Sequence, residues 1–304
     1  LEEEQRVTHS PTRFAAVALS ASLAATTVQA AEQWQSQVAE ALGKPGTEMP
    51  GGVYRVALPR TDIKATLDGV ELKPGFALGG WLAFDMPGNS GMVMGDLVLT
   101  AEEVNPVMAR LAEGGIEITA LHNHLLRNQP FTMYMHVLGH GDPSKLAAAL
   151  HDALALSKTP LTAPAAGSSQ PPALDLDTAA VDAILGTKGN NNGGVYQISI
   201  RRAEPVTEEG MEVPAPMGSA QAINFQPTGG GKAAITGDFV LIGKEVNPVA
   251  KALREHGIEV TAIHNHMLDE QPRLFFMHFW ANDDAKKLAQ GLKAALDRIA
   301  LAKG

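Results

Sequence analysis

The stretch "GIEITALHNHLL" (residues 115–126) returns 142 positions later as "GIEVTAIHNHML" (257–268). Its reading decides the fold. Side chains on a strand alternate between two faces. Read as a strand, 116–124 puts Ile116, Ile118, Ala120, His122 and His124 on one face, and Glu117, Thr119, Leu121 and Asn123 on the other. The first face is apolar and ends in two imidazoles. Same-face neighbours on a strand lie about 6.5–7 Å apart, so both rings can turn toward one cation.

Outside the phrase the likeness continues at the same offset. "GGVYRV" (51–56) matches "GGVYQI" (193–198), "EVNPV" occurs at both 103–107 and 245–249, and "MH" at 135–136 recurs at 277–278. Between Gly95 and His136, 24 of 42 positions equal their partners, so the chain is a duplication. A Pro/Ala/Ser-rich stretch, 158–175, has linker composition and divides the repeats. The expected organisation is a signal-like segment over 1–31, a first repeat domain over 32–157, the linker, and a second repeat domain over 176–304.

Each repeat reads alike. A short helix is followed by strand-like stretches near 53–58, 63–72, 78–86 and 92–99, by β-branched content and Gly/Pro punctuation. A helix then opens with Asn105 as N-cap and Pro106 in its first turn, and Gly114-Gly115 ends it. The His strand and a second strand over 131–138 come next, then a helix opened by Asp142-Pro143. The fold class expected is α+β: two tandem homologous domains, each a mostly antiparallel sheet packed against helices.

The second strand carries a third histidine, His136, repeated as His278. It joins the His122 face only if it opposes an even-numbered residue of the first strand, and the turn "LLRNQP" leaves that register open. The candidate metal ligands are therefore His122, His124 and His136 in one half, and His264, His266 and His278 in the other. Three neutral imidazoles with an open position form a recurring zinc arrangement, which also suits copper. A hydrogen-bonded scaffold role is the alternative for each ring. Glu103 and Glu245 precede the Asn-Pro pairs. They read as helix N-terminal carboxylates, with a fourth metal ligand or a general base as the alternative. Asp96 and Asp238 follow glycine and read as turn residues.

Composition bounds the rest. The 304 residues are 45% hydrophobic and 19% charged, with a net charge of −9 and no cysteine. Disulfides and thiolate ligands are excluded, and no basic cluster suits nucleic acid. "TRFAAVALSASLAATTVQAAEQW" has a basic start, an apolar middle and small residues at Val28 and Ala30, as in an export signal. The acidic "LEEEQRVTHS" ahead of it does not fit that pattern. A periplasmic or secreted location is expected, without stable membrane insertion once the signal is removed.

The phrase "EVNPV…GIEITALHNHLL…QP…MH", doubled behind a signal-like segment, resembles the LppY/LpqO family of exported bacterial proteins. That family is a domain of unknown function. Its named members are lipoproteins, whereas this chain has no cysteine for lipid attachment. The resemblance implies export and supplies no activity. Three functions are compatible with these residues. The first is an envelope protein that binds or handles a divalent transition metal, zinc foremost and copper next. The second is a His-ligated zinc hydrolase using Glu103 or Glu245. The third is a metal-free module that binds a small ligand between two pseudo-symmetric repeats.

Overall fold

In a computed structural model, which describes residues 33–87, 90–162 and 172–302, the two repeats build the same unit. The export-like segment lies outside these residues. The first unit runs α1 (33–42), β1 (Thr47–Glu48), β2 (Tyr54–Pro59), β3 (Thr66–Leu67), β4 (Val70–Glu71), α2 (Pro74–Ala77), β5 (Gly79–Asp85), β6 (Gly91–Thr100), α3 (Ala101–Glu113), β7 (Glu117–His122), β8 (Thr132–Gly141) and α4 (Pro143–Leu154). The second runs α5 (Thr178–Leu185), β9 (Asn190–Asn192), β10 (Val195–Arg201), β11 (Thr207–Glu208), β12 (Met211–Glu212), β13 (Ala220–Gly229), β14 (Lys232–Ile242), α6 (Gly243–Glu255), β15 (Glu259–His264), β16 (Leu274–Asp284) and α7 (Ala285–Leu296). The sheets are antiparallel, ordered β1-β2-β5-β6-β8-β7 and β15-β16-β14-β13-β10-β9.

One face of each sheet is closed by its own helices. Leu97, Leu99, Met135 and Val137 pack with Val107 and Leu111 of α3 and with Leu146 and Leu150 of α4. Phe239, Leu241, Met277 and Phe279 do the same with α6 and α7. Apolar spacing along these helices follows the helical period, so each presents one stripe to its sheet.

The other face of each sheet is covered by the sibling repeat. The stretch read as one strand over 63–72 is a hairpin arm, β3–β4, turning at Asp68-Gly69 with φ of 48° and 81°. Left-handed φ at both central residues is the primed turn that suits a two-residue hairpin. Glu209-Gly210 repeats it between β11 and β12, with φ of 50° and 81°. Each arm reaches over to the opposite sheet. Gln226 of β13 clamps the first arm, accepting from the Lys73 amide and donating to the Glu71 carbonyl at 2.9 and 2.7 Å. Trp280 of β16 donates to Asp68 at the arm's tip. The second arm puts Val206 and Val213 in a cluster with Val53, Ala83 and Met94 of the first sheet. Gln197 binds the Gly75 carbonyl, and its counterpart Arg55 binds that of Pro216. This reciprocity is the mark of a two-fold arrangement, here within one chain.

Helix α3 corrects the expected N-cap. Thr100, not Asn105, caps it, and Glu103 returns a bond to the Thr100 amide at 2.9 Å, completing a capping box. Pro106 lies one turn further in, inside the helix. Among the described residues no helix is long and apolar enough to cross a membrane.

Candidate metal centre

The His phrase does not run as one uninterrupted strand. Ile118 pairs with Val137 and Ala120 with His136, so Thr119 is an extra residue in a β-bulge. A bulge breaks the alternation and re-aims the residues beyond it. Ile116 and Ile118 therefore belong to the helix-covered core, while Ala120 and His122 face the sibling repeat. The five residues that simple alternation puts on one face are thus divided between two. Thr261 makes the same bulge in β15. His124 and His266 lie just beyond the strand ends.

The register left open by the sequence is also resolved. His136 stands opposite Ala120 on one side and Asp96 on the other, and His278 stands opposite Ala262 and Asp238. Asp96 and Asp238 are thus mid-strand residues of β6 and β14, not turn residues, and they share the histidines' face. Their retention in both repeats was a signal as strong as that of His136.

All six histidines meet in one chamber between the sheets. His122 and His264 stack across the pseudo-two-fold with centroids 3.5 Å apart. His124 lies between Tyr134 of its own repeat at 3.3 Å and His278 of the other at 3.8 Å. Symmetrically, His266 lies between Phe276 at 3.4 Å and His136 at 3.6 Å. The bulged threonines tie the loops in place across the interface: Thr119 donates to the His266 carbonyl and Thr261 to that of His124, both at 2.5 Å. Asn123 and Asn265 donate to the carbonyls of Thr261 and Thr119 at 3.1 and 2.9 Å. The asparagine between each pair of histidines thus fastens one repeat to the other.

Hydrogen bonds fix which ring nitrogen is free. Nδ1 of His122 and of His264 lies 3.1 Å from the next residue's carbonyl, and Nδ1 of His278 lies 2.7 Å from the Gly237 carbonyl. A carbonyl only accepts, so these Nδ1 atoms carry the proton and Nε2 keeps its lone pair. Among the described residues, Nε2 of all six histidines is buried without a hydrogen-bond partner, as is Oδ1 of Asp96 and of Asp238. Buried polar atoms are nearly always paired, so eight such atoms in one chamber call for something to bind them. His122, His264, His266 and His278 offer ligand atoms all within 4.8 Å of one another, and so do His122, His124 and His136.

Electrostatics agree with neutral rings. Burial, then the neighbouring His136 and His278, push His122 down to about 2. Burial brings His264 and His278 down to about 4, against the pull of Asp238. His124, His136 and His266 are also held well below the ordinary range by burial and by neighbouring imidazoles. Burial, and the charge of Asp238, raise Asp96 well above a usual carboxylate, opposed by Arg55.

The ion-free protein should therefore lose stability in mild acid. The histidines' affinity for protons is lower folded than unfolded, so acid favours the unfolded chain as pH falls from 6.5 toward about 4. His264 and His278 should each remove about 2 kcal/mol between pH 7.5 and 5, from 1.36 kcal/mol per unit. Asp96 and Asp238, raised, work in the opposite sense at the lower end of that range. Urea midpoints at the two pH values should differ, and His264→Asn/His278→Asn should shrink the difference.

Glu103 and Glu245 are not brought to the histidines. Glu103 bonds Arg60 at 2.7 and 3.1 Å and the amides of Thr100 and Lys158. Glu245 bonds Arg202 at 2.7 Å and the amides of Ile242 and Ala300. The loop residues Gln129 and Gln271 serve as braces, their backbones bridging Thr66 and Thr207 at the base of each arm.

Among known families, the model described as Domain of Unknown Function (DUF1259) matches twice, over residues 36–156 and 179–298. No curated protein matches the chain. Two solved structures align along most of it: the trimeric bacterial microcompartment shell protein PduB, at 12% identity and TM-score 0.20 over 82% of this chain and 87% of that one, and EtuB from Clostridium kluyveri, at 11% and 0.19 over 83% and 89%. Likeness at that level carries no argument about function.

Proposed function

The chain belongs to the DUF1259 family, whose description names no activity, so the function is to be read from the chamber itself, and we propose that it holds a transition metal ion. One observation carries this: six buried Nε2 atoms from both repeats, without hydrogen-bond partners, gather in one chamber. The donors are imidazole and carboxylate with no thiolate available, a set that suits zinc first and copper next. The four-histidine set of His122, His264, His266 and His278 is the most complete starting shell for a tetrahedral ion.

Two features weigh against the alternatives. Centroid spacings of 3.5–3.8 Å leave no space for an organic ligand between the stacked imidazoles. Two clefts on the described surface, one around Asn247 and Arg298 and one around Arg202 and Pro214, include no chamber histidine. A hydrolase needs a base and a substrate cleft at its metal. Glu103 and Glu245, the candidates for that base, are engaged by Arg60 and Arg202 instead. Metal holding or handling is the function supported, and the signal-like sequence and the resemblance to LppY/LpqO proteins favour the bacterial envelope as its location.

The test is metal content. Untagged protein isolated from its native source, assayed by inductively coupled plasma mass spectrometry, should carry a single transition metal in stoichiometric amount. His122→Ala/His264→Ala, which breaks both histidine sets, should lose it. Protein that carries none, and takes up none when stripped and incubated with zinc or copper, would sink the reading.

A further inference from the structure

We propose that the chamber is built for two metal ions side by side, one on His122, His124 and His136 and one on His264, His266 and His278, with Asp96 and Asp238 as their respective further ligands. This rests on the metal-holding reading and deepens it. A single ion takes four to six ligands, whereas the chamber offers six bare Nε2 atoms and two unpartnered carboxylate oxygens. An ion on the four-histidine set leaves His124, His136 and Asp96 as desolvated polar groups with nothing returned to them. A second ion satisfies all three.

The carboxylates have the placement this requires. Asp96 puts Oδ2 at 3.6 Å from His124 Nε2 and Oδ1 at 3.9 Å from His136 Nε2. Asp238 puts Oδ2 at 3.1 Å from His266 Nε2, with Oδ1 unpartnered beside His278. Asp96 thus straddles two histidines of its own repeat at distances found between ligands around an ion, whereas Asp238 stands within hydrogen-bond distance of His266 Nε2 and has its other oxygen 3.8 Å from Nδ1 of His278. A tetrahedral ion with bonds of about 2.0–2.1 Å holds its ligands about 3.4 Å apart. Each histidine set gathers its ligand atoms within 4.8 Å of one another. Each dication would also face one carboxylate.

The two positions adjoin. His122 is within reach of both sets, and it stacks on His264 at the pseudo-two-fold between them. Since one Nε2 binds one ion, filling both positions assigns His122 to its own repeat and leaves three histidines and an aspartate for each ion. Ions at the spacing of two-metal centres, about 3.5–4 Å, would be magnetically coupled, which makes their proximity measurable.

Stripped full-length protein dialysed against Zn²⁺ should saturate at two ions per chain, and His124→Ala/His136→Ala should saturate at one. With Cu²⁺ in place of Zn²⁺, electron paramagnetic resonance of the wild type should show a spin-coupled pair, with the isolated-ion signal strongly reduced. One zinc per chain with an uncoupled copper signal would overturn the two-ion proposal and leave the metal-holding reading standing. Two ions that remain two in the variant, or that give uncoupled signals, would also overturn it, because the second then lies outside the chamber. Absence of any binding would remove both. Should the variant fail to fold, the wild-type copper spectrum decides by itself.

Discussion

Stripped protein should gain roughly 8–16 °C in thermal midpoint when zinc is restored at about a thousand times its dissociation constant, a binding contribution of about 4 kcal/mol at 2–4 °C per kcal/mol for a chain of this size. His122→Leu/His264→Leu should abolish that gain. The informative part is the second comparison. Without metal, the leucine variant should be as stable as stripped wild type, to within about 1 kcal/mol, because it replaces two buried unpartnered nitrogens with apolar atoms of similar volume while giving up two modest Nδ1 hydrogen bonds. A scaffold role for the rings predicts the reverse: destabilisation in the variant, and no response to zinc in either protein. Differential scanning fluorimetry with and without chelator measures both.

Much of the chamber was legible in the sequence because a duplication writes its constraints twice. The histidines and the Asn-Pro helix stand at one fixed offset, and a period-2 apolar pattern beside helical stripes was enough for an α+β unit. What was not legible depends on long-range pairing. Alternation places Ile118 and His122 on one face, and only the register of β7 against β8 reveals that Thr119 is inserted between them. Asp96 follows a glycine, a local turn signal, yet it lies within a ten-residue strand whose interior is buried. Propensity describes neighbours in sequence and cannot see that two sheets close over the same spot.

The exchange of arms was hidden for the same reason. Nothing local in 63–72 says that its partner is Gln226, more than 150 residues away. Yet this exchange makes the chamber. Each sheet turns its polar His/Asp face toward the other, and an arm from the sibling seals the remainder with Leu67, Leu72 and Phe76 on one side and Val206, Val213 and Met217 on the other. Neither repeat alone would bury its histidines, so the unpartnered nitrogens are a property of the pair. The duplication also left differences. Tyr134, which donates to the Ala77 carbonyl, is Phe276 in the second repeat, and Arg55 is Gln197. Asp96 therefore feels a half-buried guanidinium where the equivalent position in the second repeat has an amide, and this sets the two halves of the chamber apart electrostatically.

Arg60→Ala should cost about 3–5 kcal/mol of folding stability, the usual consequence of leaving one member of a buried ion pair alone. The Arg60 side chain is 1% exposed and ties three elements together: it bonds Glu103 of α3, the Val98 carbonyl of β6 and Asp62 just after β2. Burial alone would raise the Glu103 carboxyl, but the bonds from Arg60 and from the Thr100 and Lys158 amides outweigh it and hold Glu103 below its ordinary value. It is an ionised anchor, not a proton acceptor awaiting substrate. Glu103→Ala should therefore be comparably destabilising. Arg60→Met/Glu103→Leu should recover most of the loss, because two apolar side chains of similar size leave only the Asp62 carboxylate without its partner, and that group is reached by water. Throughout, zinc stoichiometry of whatever remains folded should stay at the wild-type value, since neither residue belongs to the chamber. Urea titrations of the three variants measure the first part and equilibrium dialysis the second. A Glu103→Ala protein of unchanged stability that loses metal would return Glu103 to the ligand shell and undo this assignment.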